Sequence, residues 1–184
     1  MTDAAAELHT PTRFGLFFVL MHWLIALLIL AAFVLGIIMV DIPGLTPAKL
    51  RYFAWHKWLG VTVLALVAVR LLWRLTHPAP PYAEAMPRWQ HNASRIVHGL
   101  LYVLMFAVPL SGYFYSLAAG VPVVYLTVLP LPVLMDADPV LKPVLKELHE
   151  TLDWLLLGVV LVHLLAVLKH RLIDKDSVLS RMLP

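Results

Sequence analysis

The chain has no cysteine. That absence excludes disulfides, iron–sulfur clusters, zinc–thiolate sites and covalently attached c-type haem. Any iron or haem must be held by histidine, methionine or oxygen ligands. Charge is also scarce. Only 14% of the 184 residues are charged and 61% are hydrophobic, whereas a soluble domain is about a quarter charged and half apolar. Basic residues are missing from the start: Met1 to Leu8 carries Asp3 and Glu7 but no Lys or Arg. That is the wrong n-region for a signal peptide, and the apolar run that follows is too long for an h-region. The net charge of +3 and pI near 9.3 fit basic loops facing an anionic leaflet. The aromatic residues do not form a nucleic-acid surface.

The apolar excess is gathered into long runs, which makes this an integral membrane protein. Span 1, about 14–40, is uncharged from Phe14 to Val40 and exceeds the ~20 residues a bilayer needs. Pro11 and Thr12 precede it and Asp41-Ile42-Pro43-Gly44 ends it. Spans 2, 3 and 4 are expected at about 54–75, 95–117 and 149–169. The stretch from Thr76 through Pro81 cannot continue a helix, and Pro109 is a potential kink in span 3. The run 118–135 is apolar but broken by Gly120, Pro122, Pro130 and Pro132. It reads as an irregular cap at the membrane surface, with a fifth span as the alternative. A short amphipathic tail follows span 4. The expectation is an all-α membrane protein, a single 1–184 domain built as a four-transmembrane-helix bundle. With four spans, nine Lys/Arg residues fall on the side of the termini and five on the other. The positive-inside rule then puts both termini in the cytoplasm.

Histidine carries the functional signal. His149 and His163 lie fourteen residues apart on span 4, hence within about 40° of one face and ~21 Å apart along the axis. Alternating span directions match His163 in depth with His22, and His149 with His56. His98 with His170 is the second choice for the inner pair. A lone intramembrane histidine usually just hydrogen-bonds a neighbouring helix, but four matched in depth and face suggest two ligand pairs. Such pairs fit b-type haem, which accepts two axial imidazoles and lies edge-on in a bundle core. Gly36 and Gly60 are candidates for close approach of the macrocycle, although small residues at helix contacts are ordinary packing. Arg13, Arg70 and Arg74 at the inner level, and Lys49, Arg51 and Lys57 at the outer, are candidate propionate partners. Arg70 and Arg74 serve equally as a positive-inside anchor. The six tryptophans read mostly as an interfacial belt, and His9, His77 and His91 as solvated loop residues.

Several segments together resemble the bacterial cytochrome b561 family. They are Leu20-Met21-His22-Trp23, Trp55-His56-Lys57-Trp58-Leu59-Gly60, Leu148-His149-Glu150-Thr151-Leu152 and Leu161-Val162-His163-Leu164. Arg70-Leu71-Leu72-Trp73-Arg74-Leu75 before a proline run, and the tail with Lys175-Asp176-Ser177 and Arg181-Met182-Leu183-Pro184, resemble it too. The resemblance implies a di-haem protein of the bacterial inner membrane, with two non-covalent b haems on His22, His56, His149 and His163. It also implies electron exchange with quinone, and in one type oxidation of superoxide at the periplasmic face with reduction of ubiquinone. Lys49, Arg51 and Lys57 could steer such a small anionic donor. Trp89, His91 and His98 are candidates for a quinone wall. Competing readings are a membrane-anchor cytochrome subunit serving a dehydrogenase or hydrogenase, and a histidine-based proton or metal transporter. The expected partners are lipid and quinone, with a protein partner or homo-oligomer as further options.

Overall fold

The computed structural model describes residues 13–77, 80 and 87–183. The readings made on Met1–Leu8, His9, Pro11, Thr12 and most of the proline stretch lie outside them. The architecture is four long helices: α1 Leu16–Asp41, α2 Pro47–Thr76, α3 Arg88–Ala118 and α4 Leu141–Lys169. All four are long and apolar enough to cross a membrane, as the pattern of apolar runs requires.

Helix ends follow local chemistry. Thr46 caps α2, its hydroxyl accepting from the Lys49 N–H at 3.2 Å, with Pro47 at the first helical position where its missing N–H costs nothing. The Lys49 ammonium donates to the Ile42 carbonyl just past α1, at 2.6 Å. Gly120 stops α3 in the left-handed conformation, φ 71°, and its N–H and that of Val121 return to Leu117 and Ser116. The Asp138 carboxylate accepts from the Val140 and Leu141 N–H groups at the start of α4. At the far end α4 widens into a π-helical turn, His170–Asp174, closed by Lys175 at φ 52°.

The helices outrun the apolar spans. α2 begins at Pro47 rather than near residue 54, α3 at Arg88 rather than near 95, and α4 at Leu141 rather than near 149. These overhangs carry Lys49, Arg51, Arg88, Lys142 and Lys146, which hydropathy alone assigns to loops. No fifth helix occurs at 118–135. The segment folds instead as a small antiparallel hairpin, β1 Val124–Tyr125 with β2 Leu129–Pro130. The indole of Trp58 donates to the Val124 carbonyl at 2.8 Å, and the Tyr125 hydroxyl lies 2.9 Å from Thr62 Oγ1. The hairpin is thereby pinned to α2, which supplies the internal partners that irregular backbone needs near a bilayer.

In space α2 packs against both α1 and α3, and α3 against α4. Met21 and Ile25 of α1 interlock with Val63 and Val67 of α2 in a buried cluster backed by Tyr102, Met105 and Phe106 of α3. An elongated cavity of about 1960 Å³ runs through the bundle. Its two ends differ. The termini end holds the start of α1 and the end of α4. The hairpin end holds the α1–α2 turn and the cap. The absence of native cysteine makes single-cysteine labelling decisive. Gly44→Cys and Asp136→Cys should label from one face of the membrane, and His77→Cys and Lys175→Cys from the other. Labelling of positions 77 and 136 from the same face would refute this arrangement.

Candidate functional site

The cavity brings the four matched histidines together in two pairs. At the termini end the ring centres of His22 and His163 are 6.3 Å apart; at the hairpin end those of His56 and His149 are 6.1 Å apart. A metal between two imidazoles, at about 2.0 Å from each ring nitrogen and with ~1.2 Å from nitrogen to ring centre, requires about 6.4 Å. Both pairs therefore stand at the spacing of a bridged pair, with ring planes inclined at 67° and 83°. The cavity is larger than the ~300–1,000 Å³ of an ordinary ligand pocket, leaving room for one flat group at each level.

One device fixes both rings at the hairpin end. His56 donates its Nδ1–H to the Ala32 carbonyl of α1 at 2.9 Å. His149 directs Nδ1 to the Val108 carbonyl of α3 at 3.0 Å, with Ser111 Oγ also at 3.0 Å. In each case the residue one turn beyond that carbonyl is glycine. A Cβ on Gly36 would come within 3.3 Å of His56 Cε1, and one on Gly112 within 2.8 Å of His149 Cε1. Backbone-bonded Nδ1 sets the ring angle and leaves Nε2 as the nitrogen able to bind a metal, an arrangement that metal-binding histidines use. Asp153, one turn along α4, holds a carboxylate oxygen 3.4 Å from His149 Nε2.

The termini end is built differently. Neither His22 nor His163 has a described hydrogen bond of this kind, and a third ring stands beside them. His98 lies 5.3 Å from His163, too close for a metal between the two, and its Nδ1 bonds back to the Ser94 carbonyl at 2.7 Å. The alternative inner pair, His98 with His170, is not formed. His170 instead sits on the π-helical turn with Asp176 at 2.5 Å and Asp174 at 3.3 Å, where it ties the tail to α4.

The remaining candidates separate by position. Arg70 is buried and lines the cavity, and Arg74 also borders it, whereas Arg13 is exposed and away from it. Of the three outer cations only Lys57 lines the cavity; Lys49 caps α1 and Arg51 points outward. Trp89, His91 and His98 all border the cavity. His91 belongs to the first turns of α3 and is half-buried, which corrects its reading as a solvated loop residue. Gly60 lines the cavity and faces Pro109, where a Cβ would meet only ordinary protein contact at 3.8 Å. Gly112, Ser111 and Tyr102 went unread in the sequence. Gly112 carries a signal: it follows His98 by fourteen residues, as Gly36 follows His22.

A family model described as prokaryotic cytochrome b561 matches residues 13–184. Cytochrome b561 homolog 2 of Escherichia coli K12 is 31% identical over 175 residues, covering 95% of this chain and 93% of the relative. A protein named probable superoxide oxidase CybB, from Yersinia pestis, is 28% identical over 167 residues, covering 89% and 91%. Cytochrome b561 homolog 1 of Escherichia coli K12 is 27% identical over 174 residues, covering 94% and 97%.

The glycine device is testable without any assumption about chemistry. Gly112→Ala forces the His149 ring or α3 to shift, and overpacking of this kind costs about 1–3 kcal/mol. Gly60→Ala should be neutral or mildly stabilising, since alanine is the better helix former by up to ~1 kcal/mol. Denaturation midpoints in detergent compare the two. Equal midpoints would show that the ring has slack the structure does not display.

Proposed function

The chain belongs to the prokaryotic cytochrome b561 family of membrane electron-transfer proteins, and we propose that it is a di-haem superoxide:ubiquinone oxidoreductase of the bacterial inner membrane. The observation that carries this reading is the pair of histidine couples at bridging distance at two levels of one cavity. His22 and His163 would hold one b haem, His56 and His149 the other. When bound, such a group supplies one-electron exchange. Ligation by two imidazoles leaves it no open position for a substrate, so donors and acceptors must approach its edge.

The chain's own residues then divide the work. Ala32 and Val108 carbonyls hold the rings of His56 and His149 in a fixed tautomer and angle. The cavity walls around both pairs are mainly apolar. Nine of the fourteen Lys/Arg residues at the termini end support a cytoplasmic location for that end, leaving the hairpin end to the periplasm. There Lys57, lining the cavity beside His56, would draw a small anion inward. Superoxide suits this charge, and the name of the Yersinia relative points the same way. Each superoxide surrenders one electron and leaves as dioxygen. Two electrons with two protons convert ubiquinone to ubiquinol. Trp89, His91 and His98 border the cavity at the other end and offer an aromatic wall with ring N–H groups for a lipid-soluble quinone.

Stopped-flow mixing of the oxidised protein with a superoxide source tests the reading. Rapid haem reduction, slowed by salt and by Lys57→Ala, should be followed by ubiquinol in proportion. Rapid reduction by quinol but none by superoxide would reverse the direction and favour a subunit role beside a dehydrogenase. For the ligand set, His163→Ala should remove one low-spin haem and spare the other, while His98→Ala should retain both. The opposite result would move the inner ligand to α3.

A further inference from the structure

The segment 119–135 is apolar on both sides. Toward the bundle, Val123 and Leu131 border the cavity, and Val123 is buried. Away from it the side chains are uncovered: Val128 is 79% exposed, Leu129 55% and Leu126 50%. Residues 119–135 contain no Asp, Glu, Lys or Arg. A two-stranded hairpin is marginal in water, and this one would present a row of aliphatic side chains to it. The turn adds strain. Leu126 and Thr127 are both left-handed, at φ 48° and 64°. Glycine, asparagine and aspartate take that conformation readily, whereas leucine and a β-branched threonine seldom do. The tip thus keeps aliphatic bulk where the backbone favours Asn-Gly.

Charges on the helices fix the depth of the hairpin. On α4 an exposed ion pair between Lys146 and Glu150, at 2.7 Å, lies beside His149 and marks a watery level. Lys169 ends that helix nineteen residues beyond Glu150, ~28 Å of rise. On α2, Arg74 lies eighteen residues beyond His56, ~27 Å of rise. His56 and His149 face each other, so both helices put about one hydrocarbon thickness, ~30 Å, between the same two levels. The anchor points of the hairpin fall inside that thickness. Trp58, which donates to the Val124 carbonyl, is two residues past His56, and Thr62, beside the Tyr125 hydroxyl, is six past it. They stand ~3 and ~9 Å below the hairpin-end level. The backbone is fitted for apolar surroundings by local pairing. Val128 N–H donates to the Tyr125 carbonyl at 3.1 Å, Leu131 N–H to that of Val123 at 2.9 Å, and the Thr127 hydroxyl to that of Leu126 at 2.6 Å.

We propose that the hairpin tip, residues 126–129, is a lipid-binding surface that dips beneath the headgroups of the leaflet at the hairpin end, its covering partner being phospholipid acyl chains. Its inner side chains wall the cavity and its outer ones are held by lipid. The strained turn is retained because the residues that would relax it are too polar for that depth. The hairpin-end level of the cavity is therefore closed on this side by a wall that the bilayer itself keeps in place. This holds whatever the histidine pairs bind.

The test uses the full-length chain, which has no cysteine of its own. Thr127→Cys, Val128→Cys and, as a water-side control, Lys142→Cys are labelled one at a time with a nitrobenzoxadiazole fluorophore. Each is reconstituted into phosphatidylcholine vesicles with or without bromine on the acyl chains. Labels at 127 and 128 should dim about twofold or more in brominated lipid, as expected of a group ~5–10 Å into the headgroup boundary, and the label at 142 should not. Aqueous iodide should reverse that order. Leu126→Asn with Thr127→Gly suits the left-handed backbone and removes the aliphatic tip. It should cut the bromine effect at 128 while the denaturation midpoint is kept. Val128→Ser, read from 127, makes the same comparison should the double variant fail to fold. Iodide quenching at 127 and 128 without bromine quenching puts the tip in water and overturns the proposal. Labels shielded from both reagents place a second copy or another protein on the tip and overturn it equally. A bromine effect that survives loss of the aliphatic side chains overturns their role in holding the hairpin at depth.

Discussion

An imidazole can bond a carbonyl of a neighbouring helix only where that helix leaves room for the ring. A helical carbonyl is already committed to the N–H one turn on, and the side chain at that position screens it. Glycine removes the screen. Ala32 with Gly36, and Val108 with Gly112, are two instances of one solution. The hairpin-end centre depends on both. Without them the Nδ1 atoms lose their acceptors, the tautomer is no longer set and the ring spacing of 6.1 Å has nothing to maintain it. In a bilayer the alternative partner, water, is absent.

The two ends of the bundle solve the same problem with different materials. Rigid backbone contacts from α1 and α3 hold the hairpin-end rings, and a pinned hairpin closes that end. At the termini end the fixed elements are charges, stacked aromatic rings and a tail tied down by His170, Asp176 and Trp23. The difference is one of material: backbone carbonyls and glycines at one level, side-chain charges and rings at the other.

Hydropathy and histidine depth carried much of the architecture, because both depend on the helical period and a bilayer's thickness. Four spans and the two pairings are direct consequences of those constants. What escaped them is instructive. The polar overhangs of α2, α3 and α4 have no apolar signal; Thr46 and Asp138 hold the starts of α2 and α4, and α3 begins behind Pro87 without a side-chain cap. The cap at 119–138 depends on Trp58 and Thr62, residues distant in sequence. Arg181 belongs to a tail segment that the sequence marks by resemblance, but its burial beside Phe14 and Pro80 depends on residues distant in sequence. Gly112 was legible in principle, through its spacing from His98, but a lone glycine in an apolar run is too common to be singled out.

That spacing has a consequence for the whole bundle. On α1, His22 and Gly36 lie fourteen residues apart on nearly one face, and on α3 His98 and Gly112 repeat the interval. Each helix therefore turns a ring toward one centre and a gap toward the other. A register shift of one residue rotates a helix face by ~100°, so it would withdraw the ring and close the gap together. The two centres cannot then be adjusted separately by sliding either helix. Geometry at one level constrains geometry at the other through the backbone alone. Under the proposed function such a linkage would hold the distance and angle between the two levels by the helices themselves.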